Sequence, residues 1–160
     1  MTSTITAATM KVTITENLTL NGRQQGATNS ISIGSINELS KRIVTITTTE
    51  AVIATFSAAV ASAGHYVAAN VRYMRFTNKD DTNFITLTFR NQDNDEVALK
   101  LDAGQSFIWN GDNTNGMTAV FNATQDADAA SSANFGSLTN IQADADTGSC
   151  DLEIFIAETA

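Results

Sequence analysis

The chain has 160 residues, a mass of 17.0 kDa and a formal net charge of −8. This length suits a single domain with one hydrophobic core. The negative charge argues against a nucleic-acid-binding protein, because such proteins place Lys and Arg against phosphates. The single cysteine excludes an intramolecular disulfide, and no run approaches the roughly 18 apolar residues of a membrane span. We therefore expect neither nucleic acid nor membrane as a partner.

Most of the polarity comes from neutral side chains. The chain contains 23 Thr, 15 Asn and 12 Ser, whereas charged residues make up only 16%. The formal charge is +3 over residues 1–80 and −11 over residues 81–160. This division predicts that the first half faces protein partners and that the second half presents acidic turns to solvent.

The first ten residues, MTSTITAATM, are small and polar. They predict a flexible, extended N-terminal arm over residues 1–10, followed by a single domain over residues 11–160. We expect the arm to become ordered by adding a strand to an adjacent protein subunit.

Apolar residues alternate with polar ones along most of the remaining chain, as in half-buried strands. Asn-Gly pairs, which reach positive φ at little cost, predict tight turns between these runs. The chain is therefore predicted to be all-β, an antiparallel β-sandwich or jelly roll of about 8–10 strands. The predicted core residues are Val12, Ile14, Leu20, Ile33, Val44, Ile46, Phe56, Tyr73, Leu87, Phe89, Leu99, Leu101, Phe107, Phe121, Leu152, Ile154 and Ile156.

Two segments have less regular patterns. Residues 51–64 are rich in small residues and fit either a short helix or a strand followed by a loop. Residues 122–137 contain few large apolar side chains, which predicts a long surface loop.

Evidence for catalysis is weak. Cys150 and His65 are the only thiol and the only imidazole, so they form the one conceivable nucleophile–base dyad. However, Cys150 opens an alternating apolar run, where cysteine commonly serves as a small buried residue. No phosphate-binding glycine loop is present. We expect a protein that is not an enzyme.

Paired carboxylates raise the question of a bound metal. Asp93 and Asp95, and likewise Asp144 and Asp146, alternate along the chain, so each pair points one way on a strand and offers oxygen ligands for Ca²⁺. Solvated turns explain the same residues more simply. The sequence predicts no other metal and no cofactor.

Two further groups of side chains are candidates for binding. Arg72, Arg75 and Lys79 flank Tyr73 and predict a positive patch that pairs with an acidic surface on a neighbouring subunit. The aromatic rings of Trp109, Tyr66 and Tyr73 could stack on a sugar, but their positions in the alternation favour the core.

One block of the chain follows a specific order of short motifs. It has an Arg-Tyr-x-Arg-x-x-Asn strand, a turn and an alternating strand, then Val-x-Leu-Lys-Leu and Ala-Gly-x-Ser-Phe. The residues are Arg72, Tyr73, Arg75, Asn78, Val97, Leu99, Lys100, Leu101, Ala103, Gly104, Ser106 and Phe107. In this pattern the chain resembles small virion structural proteins of tailed phages of marine bacteria. The resemblance covers about half of the chain and implies a sandwich or jelly roll on a virion, without catalytic residues.

Composition and resemblance together predict a non-enzymatic capsid decoration (cement) protein. Its expected partners are the major capsid protein and sister subunits, with a trimer favoured among homo-oligomers. We expect it to be made in the host cytoplasm and to reside on the surface of the phage particle. The alternative is a head fibre, knob or tail-associated module that recognises a host surface glycan through loops that include residues 122–137.

Overall fold

A computed structural model describes residues 5–60, 62–110 and 137–159. These residues contain thirteen strands and no helix. The strands are β1 (Ala8–Thr15), β2 (Thr19–Leu20), β3 (Arg23–Gln24), β4 (Thr28–Ile36), β5 (Glu38–Ile46), β6 (Ala51–Ser57), β7 (His65–Val67), β8 (Val71–Asn78), β9 (Ile85–Asn91), β10 (Glu96–Leu101), β11 (Ser106–Asn110), β12 (Leu138–Ala145) and β13 (Cys150–Glu158).

Two main sheets enclose one core, which confirms the predicted all-β sandwich. A five-stranded sheet has the order β10-β9-β12-β6-β7, and a four-stranded sheet has the order β11-β8-β13-β5. All pairs in these sheets are antiparallel except β6 with β7. A jelly roll, the other arrangement predicted, likewise places one core between two sheets.

The core follows from the alternation of each strand. On β13, Leu152, Ile154 and Ile156 are fully buried, and they face Leu87 and Phe89 of the opposite sheet within one apolar cluster. Burying a side chain of this size contributes roughly 1.5–3 kcal/mol. The intervening positions of each strand point to the outer faces.

Several sequence predictions need correction. Of the two structures predicted for residues 51–64, the helix is wrong, and residues 51–57 form strand β6. Ile14 and Leu20 were predicted to be buried but are exposed, because alternation identifies an apolar face without showing whether anything covers it. The strand count exceeds 8–10 because very short strands such as β3 and β7 give no alternating signal. Phe121 and residues 122–136 lie outside the described residues.

The N-terminal strands are joined to the sandwich through a single residue. Only Asn37 separates β4 from β5, and its N–H donates to the carbonyl of Glu158 at 3.0 Å. Ser35, two residues before Asn37, has a φ of 60°. Residues 8–10 of the predicted arm belong to β1, which pairs with β4 of the same chain. The arm is therefore the beginning of a folded ribbon from Ala8 onward.

Across residues 5–60, 62–110 and 137–159, no helix has the length and apolarity needed to cross a membrane.

Candidate interaction surface

Residues 8–36 form a two-stranded ribbon that belongs to neither main sheet. β1 pairs antiparallel with β4, and β2 pairs with β3 nearer the turn. Between these pairs, the N–H of Glu16 donates to the carbonyl of Ala27 at 2.8 Å, and that of Gln25 donates to Leu18 at 2.7 Å. At about 3.4 Å per residue, the ribbon is roughly 40 Å long.

Glycine and asparagine shape the outer end of the ribbon. Asn21 and Gly22 have φ values of 50° and 73°, so both lie in the left-handed region that a two-residue hairpin turn requires. At Gly26 a Cβ atom would lie 1.8 Å from the carbonyl oxygen of Glu16, so only glycine fits. The turn and this close approach fix the register of the ribbon.

One face of the ribbon is lined by hydroxyl groups. The side chains of Thr13 and Ser30 are hydrogen-bonded at 3.0 Å, and Thr28 donates to Thr15 at 3.4 Å. Cross-strand hydrogen bonds of this kind stabilise a sheet on its solvent-exposed face. The abundance of threonine thus has a structural role here.

The other face of the ribbon is apolar, and its inner half packs on the four-stranded sheet. Ile33 is 2% exposed and forms a small cluster with Tyr73 and Ala157. The rings of Tyr73 and Phe155 meet edge to face with their centroids 5.8 Å apart. The partly buried residues packed against this cluster are Met10, Val12, Ile36 and Phe155. This contact holds the ribbon on the outer face of the sandwich.

The outer half of the ribbon, residues 13–32, has no buried residue. Its apolar side chains, Ile14, Leu18, Leu20 and Ile31, are between 39% and 57% exposed. Ile14 and Ile31 lie on the same strands as the packed Val12 and Ile33, two residues farther out in each case. We call residues 13–32 the distal ribbon. Its apolar side chains are left uncovered by the rest of the described chain.

A second uncovered apolar surface lies on β5. This strand pairs with β13 along nine residues and, among the described residues, has no strand on its other edge. Leu39 and Ile43 project from its outer face and are 56% and 59% exposed. Between them, Lys41 lies 3.9 Å from the carboxylate of Glu153, which also forms an ion pair with Arg75. The hydrogen bond from Arg75 holds the pKa of Glu153 below its usual value.

A groove of about 330 Å³ runs beside β5, between its free edge and the segment leading into β7. Arg42 crosses toward β6 and donates to the carbonyl of Ile53. The hydroxyl of Tyr66 donates to Oγ of Ser40 at 3.0 Å. These two contacts link the edges of the two sheets from within.

Glu158 lies at the end of this groove and is 4% exposed. Its Oε1 accepts a hydrogen bond from the N–H of Val67 at 3.2 Å. Burial, reinforced by the negative charge of Glu38, raises the pKa of Glu158 to about 7. Sequence reasoning overlooked this residue. Continuing the alternation of Leu152, Ile154 and Ile156 by one step would have placed it on the buried face.

The proposed calcium ligands do not converge. Asp93 and Asp95 follow the last residue of β9, and both of their N–H groups bond to Oδ1 of Asn91. Asp144 lies at the opposite end of β9, and the N–H of Asp146 donates to the carbonyl of the residue that precedes that strand. The two pairs are therefore about 20 Å apart along the strand. The described residues contain no group of three metal-ligating side chains.

The three basic residues proposed as a patch are not presented together. Arg72 is buried and donates to the carbonyl of Ala69 at 2.6 Å. Arg75 lies on the outer face, because residues three apart on a strand point in opposite directions. It is already paired with Glu153, and its guanidinium lies 5.8 Å from the ring centre of Phe155. Lys79 follows the end of β8.

The residues considered for catalysis and sugar stacking occupy structural positions. Cys150 is buried and pairs with Ile46 at one end of β5, whereas His65 lines the groove at the other end. Burial raises the pKa of the Cys150 thiol, which disfavours the reactive thiolate. Tyr66 and Trp109 are buried in the core cluster, as the alternation predicted.

Comparison of the chain with protein-family models, with curated proteins and with solved structures found no match.

Proposed function

We propose that this chain is a non-enzymatic structural protein of a phage virion, which decorates the capsid by binding at junctions between subunits. Its contacts would be made with the major capsid protein and with sister copies, in a symmetric oligomer such as a trimer. The partial sequence resemblance to small virion proteins supports this assignment. The observation that carries it is the distal ribbon.

An isolated two-stranded hairpin is at best marginally stable in water. The distal ribbon nevertheless has a defined turn, a close backbone approach at Gly26 and an apolar face, so its sequence is organised for a partner surface. The apolar face of such a site is covered only when the chain is bound to a partner in an assembly. Binding to the assembled lattice and not to separated subunits stabilises the lattice by mass action.

Sugar recognition has less support among the described residues. Tyr66 and Trp109, which would have to stack on a sugar ring, are 3% and 8% exposed. The loop over residues 122–137 remains part of the alternative function as a prediction from the sequence.

The test is the copy number of the chain in purified particles, measured by quantitative mass spectrometry against the major capsid protein. A decoration protein is expected at a fixed ratio to the capsid subunits, and particles that lack it should release DNA at a lower temperature. A few copies per particle would instead indicate a tail or fibre component. Recovery of the chain only outside particles would refute the proposal.

A further inference from the structure

We propose that the distal ribbon of one copy lies along β5 of a second copy, so that copies associate head to tail. This inference identifies one neighbour within the proposed assembly and therefore rests on the proposed function. It starts from two apolar surfaces of one chain that the rest of the described chain leaves uncovered.

The chain already uses the required contact internally. The inner half of the ribbon packs its apolar face on Tyr73, Phe155 and Ala157 of the four-stranded sheet. Leu39 pairs in register with Ala157, so the exposed side of β5 belongs to the same outer face. A distal ribbon from a second copy on β5 would extend this packing across the sheet with the same kinds of side chain.

The outer face of β5 is open to such a ribbon. Leu39 and Ile43 are 56% and 59% exposed on this face. If the ribbon packs face to face on the sheet, Ile14 and Ile31 would lie over Leu39 and Ile43 of the receiving copy.

Charge permits this contact despite the net charge of −8. The distal ribbon contains one acid, Glu16, and one base, Arg23. On the outer face of β5, Lys41 lies between Leu39 and Ile43 and is 3.9 Å from the carboxylate of Glu153. The contact thus joins surfaces from the half of the chain with a formal charge of +3 and keeps the half with −11 apart.

The two surfaces differ, so the association is heterologous. Each copy offers one ribbon and one β5, and a closed ring uses every surface once. This arrangement excludes pairing of two ribbons, or of two β5 strands, with each other. It also makes a specific prediction for mixtures of two defective variants.

The experiment measures mass in solution by light scattering during size-exclusion chromatography, over a wide range of protein concentration. The ribbon variant carries Leu18→Asn and Leu20→Asn, and the β5 variant carries Leu39→Asn and Ile43→Asn. Val97→Asn is the control, because Val97 is a similarly exposed apolar residue on the edge strand of the other sheet. All substituted positions are exposed, and circular dichroism verifies that each variant folds.

Wild type and the control are expected to form oligomers, whereas each double variant should be a 17.0 kDa monomer. An equimolar mixture of the two double variants should form a species of twice the monomer mass and nothing larger, since only one interface is intact. A short bismaleimide should also join Ile14→Cys to Ile43→Cys in a mixture, but should not join Ile14→Cys to Val97→Cys.

Monomeric wild type at every concentration would overturn the inference, as would an oligomer that survives in either double variant. If the ribbon variant is monomeric while the β5 variant still forms oligomers, the ribbon binds a surface other than β5 and the inference is wrong. These outcomes are independent of particle copy number, so the inference and the proposed function can fail separately.

Discussion

Glu158 gives the sandwich a pH-dependent stability. It is the last residue of β13, it pairs in register with Glu38, and its carboxylate accepts a hydrogen bond from the N–H of Val67. Replacing Glu158 with Gln removes the charge but keeps an oxygen that can accept this bond. We therefore expect Glu158→Gln to stabilise the fold at pH values at which the glutamate must ionise.

The magnitude follows from the pKa, which burial and the charge of Glu38 raise from 4.5 to about 7. Below pH 4.5 the carboxyl is protonated in both the folded and the unfolded chain, and ionisation costs nothing. Between 4.5 and 7 the unfolded chain loses the proton while the folded chain keeps it, so stability falls as pH rises. At about 1.4 kcal/mol per pH unit, the loss reaches about 3 kcal/mol above pH 7.

Urea unfolding at several pH values measures this effect, with the fluorescence of Trp109, the single and buried tryptophan, as the probe. Comparing Glu158→Gln with wild type cancels the other titrating groups. The free energies of unfolding should agree near pH 4 and differ by up to about 3 kcal/mol near pH 8. Glu38→Gln, which removes only the neighbouring charge, should give a smaller gain. Parallel pH profiles for wild type and Glu158→Gln would refute the reasoning.

Three further outcomes test the packing and the sites. Ile154→Ala should lower the free energy of unfolding by about 2–5 kcal/mol because it opens a cavity in the core, whereas Ile14→Ala should change it little in dilute monomer; equal losses would contradict the exposure of Ile14. Gly26→Ala should disorder the ribbon, because its Cβ would meet the carbonyl of Glu16, and NMR shifts should move in the ribbon but not in the core; unchanged ribbon shifts would contradict this. Calcium should leave the melting temperature unchanged, since the acidic pairs lie at opposite ends of β9; a clear increase would contradict this.

Local alternation was sufficient to predict the sandwich. Val12, Ile33 and Leu152 each lie in a run in which apolar residues recur at every second position. All three lie on strands in the structure. The same spacing could have shown that Arg72 and Arg75 face opposite sides of a sheet, and that Glu158 is turned inward. These site features were thus available from the sequence.

The long-range arrangement could not be predicted in this way. Ile14 and Ile33 have equivalent patterns, yet only Ile33 is covered, because only its half of the ribbon packs on Tyr73 and Ala157 of the sheet. The two acidic pairs lie far apart because one is beside the beginning of β9 and the other follows its end. This placement depends on the pairing of β9 with β12, which local alternation does not show. Periodicity shows which residues share a face of a strand, but it does not show which strands or surfaces lie next to that face.

Hydrogen–deuterium exchange of the backbone amides of residues 13–32 tests most directly whether the distal ribbon is a docking element. The amides are to be compared in the isolated monomer and in purified particles. Because these residues have no covering surface within the described chain, they should exchange rapidly in the monomer and slowly in the particle. Equally rapid exchange in both states, with the chain still bound to the particle, would contradict a docking role for the ribbon.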